Sequence, residues 1–221
     1  MPRGLFVTGT DTGVGKTVVS AALMHRYRGA VPLRYWKPIQ TGIEHDDDTR
    51  AVVALGRCSE EEVLADGIRL PRPLSPHLAA RLHGTRIGME SLVQAIEQST
   101  DRRAWIVEGA GGVLVPLNDC QLMRDFMAAL NLPVIVAARS QLGTINHSLL
   151  TIEALRRRDL DVAGVVMVGD RNDDNREAIE QYGAVTVLGQ LPHFEPLTPS
   201  SLAAWSATEL DREGRLLERL R

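Results

Sequence analysis

Leu5-Phe6-Val7-Thr8-Gly9-Thr10-Asp11-Thr12-Gly13-Val14-Gly15-Lys16-Thr17 carries an apolar strand directly into a glycine-rich loop that ends in Gly-Lys-Thr. Glycines let successive backbone N–H groups turn toward one anion, and the helix that follows presents its positive end to the same point. Lys16 adds a mobile charge, and the Thr17 hydroxyl can hold Mg²⁺. The strand before the loop and the helical run 18–23 after it are the context that a phosphate cradle requires, so a plain strand-to-helix turn is the weaker reading. The spacing is a variant: five residues separate Gly9 from Gly15 where four are usual, and Thr10 stands where a glycine is expected.

Outward from this loop, strand-like apolar runs at residues 4–8, 33–37, 105–108, 133–138, 162–168 and 185–189 alternate with helical patterns, among them helices from Lys16 and from about Thr144. That alternation predicts an α/β, P-loop NTPase-like fold, a mostly parallel sheet flanked by helices. A chain of 221 residues, 44% hydrophobic and without a low-complexity linker, predicts a single nucleotide-binding domain over 1–221. The long polar and helical insertion at 41–103 holds Asp46-Asp47-Asp48 and Ser75-Pro76-His77. Excursions of this kind at the carboxyl end of a parallel sheet commonly build a substrate site. The tail from Leu202, with Leu210, Leu216, Leu217 and Leu220 among charges, reads as a packed surface helix.

Twenty-five basic and 28 acidic side chains leave a net charge of −3, which gives no electrostatic basis for a nucleic-acid partner or an anionic membrane surface. Cys58 and Cys120 lack metal-ligand spacing and read as reduced thiols. The first residues enter the nucleotide strand with no room for a signal peptide, and apolar runs such as 132–138 are strand-sized, so the expected compartment is the cytoplasm.

Four further places invite chemistry. Lys37 ends a strand just before Pro38, at the sheet edge that bears the phosphate loop; a second lysine there suits phosphoryl transfer, against the alternative of a solvated strand-end lysine. Glu108 ends an apolar strand before Gly109-Ala110-Gly111-Gly112, the place of an acidic metal ligand, its glycines implying close backbone approach to a ligand; the alternative is an exposed glutamate. One of Asp46, Asp47 and Asp48 can complete a magnesium shell, or the three form a solvated turn or helix cap; spacing does not choose among them. Gly143-Thr144-Ile145-Asn146 opens a helix whose free N–H groups can receive an anionic substrate group, or Thr144 is a plain N-cap. His77 and His147 have no partners in spacing and read as non-catalytic.

Together the segments 9–17, Lys-Pro-Ile-Gln-Thr-Gly at 37–42, Ser-Pro-His at 75–77, Val-Glu-Gly-Ala-Gly-Gly at 107–112 and Leu-Gly-Thr-Ile-Asn-His at 142–147 resemble the dethiobiotin synthetases, in that family's order and over residues 4–194. The resemblance implies an ATP- and Mg²⁺-dependent cyclo-ligase of biotin synthesis that converts 7,8-diaminopelargonate and CO₂ to dethiobiotin through a carbamate and a carbamic–phosphoric anhydride. It implies that Gly13, Val14, Gly15, Lys16, Thr17 and Val18 wrap the nucleotide phosphates, that Thr17, Asp48 and Glu108 bind metal, and that Lys37 acts with Lys16 on the carbamate and the transferring phosphoryl group. Thr12 and Thr41 would face the diamine. Residues 143–146 would take its carboxylate from a neighbouring subunit, which implies a homodimer with shared sites.

Two positions depart from the family. Gly13 replaces a glutamate found in some members, and Val168-Gly169 stands where well-known members place Asn-Asp against the adenine edge. Valine has no side-chain donor or acceptor, so base recognition falls to backbone groups near Gly169 or Pro192, His193 and Phe194, and CTP or other nucleotides are expected to be admitted beside ATP. The rival reading, a partitioning-type ATPase switch, needs a lysine five positions before Lys16, where this chain has Asp11. A cobyrinate-amidating ligase would need an added glutaminase domain.

Overall fold

The computed structural model describes residues 2–100 and 102–221. In chain order its elements are β1 (Gly4–Gly9), α1 (Lys16–Tyr27), β2 (Leu33–Trp36), β3 (Ile39–Thr41), α2 (Asp48–Gly56), β4 (Val63–Leu64), β5 (Ile68–Leu70), α3 (Pro76–Leu82), α4 (Met89–Glu97) and β6 (Ala104–Gly112). There follow α5 (Met123–Leu130), β7 (Val134–Arg139), α6 (Thr144–Arg156), β8 (Val162–Val168), α7 (Asp173–Gly183), β9 (Val187–Leu191), α8 (Pro199–Thr208) and α9 (Leu217–Leu220). Among the described residues, seven strands form one sheet in the order β4-β2-β6-β1-β7-β8-β9, and every neighbouring pair is parallel. All these strands therefore deliver their carboxyl ends to one edge, where β1 hands over to the phosphate loop.

Alternation along each strand splits the interior in two. Leu5, Val7, Leu33, Tyr35, Ile106 and Ile135 join α1, Val52 of α2, Leu202 of α8 and Leu220 of α9. Phe6, Trp36, Trp105, Val107 and Val136 turn the other way, to Leu92 of α4, Phe126 of α5, Ile152 of α6 and Ile179 of α7. In that second core the Phe126 ring meets Trp36 edge-on at 6.4 Å between centroids and Phe6 at 6.0 Å.

The insertion at 41–103 holds the helices α2, α3 and α4 and also strands: β5 pairs with β3 in a small parallel sheet and β4 extends the main one. Three expectations are corrected. Strand β6 runs through Gly112, which pairs with Gly9, so the glycines expected to form a turn continue the strand and Glu108 lies inside it, fully buried. Strand β9 begins two residues late, since α7 ends with Ala184 in the left-handed region and Val185 and Thr186 complete the return. The tail is not one surface helix: Asp211, itself at φ 45°, receives the N–H groups of Arg215 and Leu216 and the hydroxyl of Tyr27 in α1, and this break turns Leu210, Leu216 and Leu220 into the core.

Because Phe126 contacts rings from two strands and is wholly buried, Phe126→Ala is expected to lower the unfolding free energy by about 3–5 kcal/mol. Urea denaturation followed by tryptophan fluorescence measures it; a loss under about 1 kcal/mol would mean that the α5 core collapses onto the void.

Candidate active site

The phosphate loop is held open by its own backbone. Gly13 and Gly15 sit at φ 69° and 94°, where side-chain-bearing residues are strained, and α1 starts with no side chain capping its first N–H groups. A Cβ on Gly15 would meet Val168 Cγ1 at 3.0 Å, so the end of β8 packs directly under the cradle. Lys16 is buried, and its ammonium bonds the Asp11 carbonyl at 2.9 Å. Burial, and after it the neighbouring Lys37 ammonium, lower Lys16 to about 8.

Lys37 and the three side chains gathered about it, Thr17, Asp48 and Glu108, come from four places in the fold. Lys37 follows β2, its ammonium 2.8 Å from Glu108 Oε1 on β6 and 2.6 Å from Asp48 Oδ2 at the start of α2, with the Gly109 carbonyl at 2.9 Å. Thr17 Oγ1 on α1 lies 2.9 Å from Asp48 Oδ1 and 3.1 Å from Glu108 Oε1. Burial disfavours both charged forms, but the close opposite charges outweigh it, raising the Lys37 pKa and lowering that of Asp48. The three aspartates part company: Asp47 caps α2 by accepting from Arg50 N–H at 3.0 Å, Asp46 lines the cavity and offers its backbone carbonyl to Gln40, and Asp48 pairs with Lys37. Two carboxylates and a hydroxyl are hard oxygen donors, few enough to leave a cation several waters, which fits magnesium.

These groups line a cavity of about 610 Å³. Of the residues singled out from the sequence, it brings together Thr12, Gly13, Gly15, Lys16, Thr17, Val18, Lys37, Thr41, Asp46, Asp48, Ser75, Pro76, Glu108, Ala110 and Gly111. Val14 is turned into the core instead, and Gly109 sits behind the wall, where a Cβ would strike the Phe6 ring at 2.9 Å. Gly143, Thr144, Ile145 and Asn146 lie outside this cavity, after β7, as do Gly169, Pro192, His193 and Phe194 after β8 and β9. Gly169 and His193 do meet each other: a Cβ on Gly169 would stand 3.5 Å from His193 Nε2 and 2.4 Å from Ser140 Oγ. Missed by the sequence reading are Gln40, His45, Pro73 and Val115, which also line the cavity, and Tyr35, whose hydroxyl donates to Glu108 Oε2 at 2.9 Å. Gln40 was legible from its place in the 37–42 motif; the others depend on the path of loops and on strand register.

Beside this geometry stand three kinds of likeness. A family model described as an AAA domain matches residues 3–201. The chain is 49% identical to the ATP-dependent dethiobiotin synthetase BioD of Paramagnetospirillum magneticum, over 91% of this chain and 93% of that one. It is 46% identical to the protein of the same name from Brucella ovis, over 91% and 92%. Solved structures share the fold at low identity: apo McdA from Cyanthece (TM-score 0.60, 12% identity, all of both chains) and the MinC:MinD cell division complex of Aquifex aeolicus (TM-score 0.59, 14% identity, 98% and 95%).

Removing the ammonium strands a carboxylate with no exposure to water, so Lys37→Ala is expected to cost about 3–5 kcal/mol of stability in urea titrations at neutral pH. An unchanged midpoint would mean that Thr17 and solvent neutralise Glu108 on their own.

Proposed function

The chain belongs to the ATP-dependent dethiobiotin synthetases, and on that premise we propose how its residues carry out the ligation. The enzyme is an ATP-dependent ligase of biotin synthesis. Its substrates on this reading are 7,8-diaminopelargonate and CO₂. One amine of the diamine adds to CO₂ and loses a proton, giving a carbamate. A carbamate oxygen attacks the γ-phosphorus and ADP leaves, which yields a carbamic–phosphoric anhydride. The second amine then attacks the carbamoyl carbon, loses its proton and expels phosphate, closing the ureido ring.

Each step gathers or moves negative charge over a short distance, and positioning with fixed cations serves it better than a strong base. The single observation that carries the reading is that the phosphate loop, two lysines and Thr41 face one cavity with Asp48 and Glu108. Backbone N–H groups of residues 13–18 would hold the triphosphate, which would add negative charge beside buried Lys16. Lys37, held between Asp48 and Glu108, would neutralise the carbamate and the transferring phosphoryl group. Thr17, Asp48 and Glu108 would bind Mg²⁺, which supplies charge neutralisation on the phosphate oxygens when bound. Thr12 and Thr41 would bond the diamine or its carbamate, and residues 143–146, outside the cavity, would serve the carboxylate of a neighbouring protomer's substrate in a cytoplasmic homodimer. Ala110 and Gly111 would let β6 approach the nucleotide closely, with Gly109 behind them against Phe6, and the chain would act as one nucleotide-binding ligase domain.

A switch ATPase is the weaker reading. Likeness to the partitioning-type structures extends to the fold alone, at 11–14% identity, and Asp11, not lysine, stands five positions before Lys16.

Phosphate release from ATP that requires the diamine, with bicarbonate carbon recovered in an equal amount of dethiobiotin, is the expected result; release indifferent to the diamine would overturn the reading. In the same assay Lys37→Ala is expected to abolish diamine-coupled release while nucleotide affinity stays near wild type, because Lys16 and the loop backbone remain. With Val168 in place of a base-reading amide, comparable kcat/KM for ATP and CTP is expected, and strict dependence on ATP would sink the idea of a relaxed base site.

A further inference from the structure

Resting on the reading that Glu108 holds magnesium, we propose that Tyr35 is the positioning residue that aims this carboxylate at the metal. Tyr35 lies opposite Ile106 in the parallel pairing of β2 with β6, so Glu108, two residues on, is its diagonal neighbour on the same face of the sheet. Both side chains are wholly buried, on the side where α1 packs.

The two oxygens of Glu108 have different duties. Oε1 faces the cavity groups, Lys37 Nζ at 2.8 Å and Thr17 Oγ1 at 3.1 Å, while Oε2 accepts the Tyr35 hydroxyl proton at 2.9 Å. Tyr35 itself does not line the cavity and cannot touch the nucleotide. Its influence must pass through the carboxylate. A phenol is protonated at neutral pH, so its hydroxyl is a donor to this carboxylate. Without that donor Oε2 would be a buried, unpartnered anionic atom, and the carboxylate would rotate to share Lys37 between its two oxygens, drawing Oε1 away from the shared point with Thr17 and Asp48.

Tyr35→Phe removes one oxygen and tests this. The readouts are Mn²⁺ binding to the complex with the non-hydrolysable analogue AMPPNP, followed by electron paramagnetic resonance, and AMPPNP affinity without metal, followed by calorimetry. Mn²⁺ affinity is expected to fall about 10-fold with metal-free AMPPNP affinity unchanged. With 4-aminophenylalanine in place of Tyr35, which restores an N–H donor, Mn²⁺ affinity is expected to recover. Replacement by 4-fluorophenylalanine, which keeps the volume without the proton, carries the expectation of Tyr35→Phe and serves where that variant yields too little folded protein. In a Glu108→Gln background, Tyr35→Phe should cause no further fall. Unchanged Mn²⁺ affinity, an equal fall in metal-free affinity, or a full effect in the Glu108→Gln background would each overturn the proposal. A wild-type enzyme that binds Mn²⁺ and AMPPNP yet makes no dethiobiotin would instead count against the reaction, leaving Tyr35 to be judged by the metal affinities.

Discussion

A lysine ammonium with almost no exposure to water sits between two carboxylates that arrive from different elements, and the rest of the site is arranged around that meeting. Burying any one of these charges alone would cost several kcal/mol, so each requires the others within hydrogen-bond distance. The requirement locks β2, β6 and the start of α2 to the phosphate loop through Thr17. Such a cluster is a poor source of net stability, since well-packed apolar side chains could replace it at little loss. Its presence at the carboxyl edge of the sheet, against a glycine cradle, is a reason in itself to regard it as functional.

The sheet makes this economy of placement available. Parallel strands send all their carboxyl ends to one edge, and the helices on both faces leave that edge as the exposed, chemically usable rim. The chain uses the rim unequally. Residues after β1 and β2, the later part of β6 and the loop leading to α2 build the cavity, whereas the ends of β7, β8 and β9 form a neighbouring tract touching it through Val168 beneath Gly15. Asp11 adds a further distinction, since its carboxylate accepts from Thr12 N–H and pairs with Arg139, placing an acid where a nucleotide switch of similar fold would have its lysine.

Much of the cavity's lining is legible in the sequence, and the exceptions have particular causes. Lys37 was placed by Pro38, which ends the strand, and Thr17 by the loop motif, both effects of immediate neighbours. Glu108 was identified as a ligand position but was set at the end of its strand, because glycines usually interrupt β structure; here Gly112 pairs with Gly9, a partner about a hundred residues earlier in the chain. The tail was read as a packed surface helix from its mixture of leucine and charge. The buried Asp211, which bonds Tyr27 and two backbone N–H groups, breaks it and turns the leucines inward. Tyr35 left no trace in local pattern, since an aromatic residue in a strand ordinarily belongs to the core.

What this chain's sequence determined by itself is everything carried by contiguous residues: the phosphate loop with its strand and helix, the alternation that demands a parallel sheet, and the family to which the ordered motifs belong. Tertiary structure alone decided which aspartate of 46–48 turns to Lys37, that Glu108 is sealed from water, and that a tyrosine holds its second oxygen. The physical reason is range. Glycine conformations, helix starts and strand periodicity are set by neighbours a few residues away, whereas a charge cluster gathered from positions 17, 35, 37, 48 and 108 depends on strand order and register, which long-range packing selects.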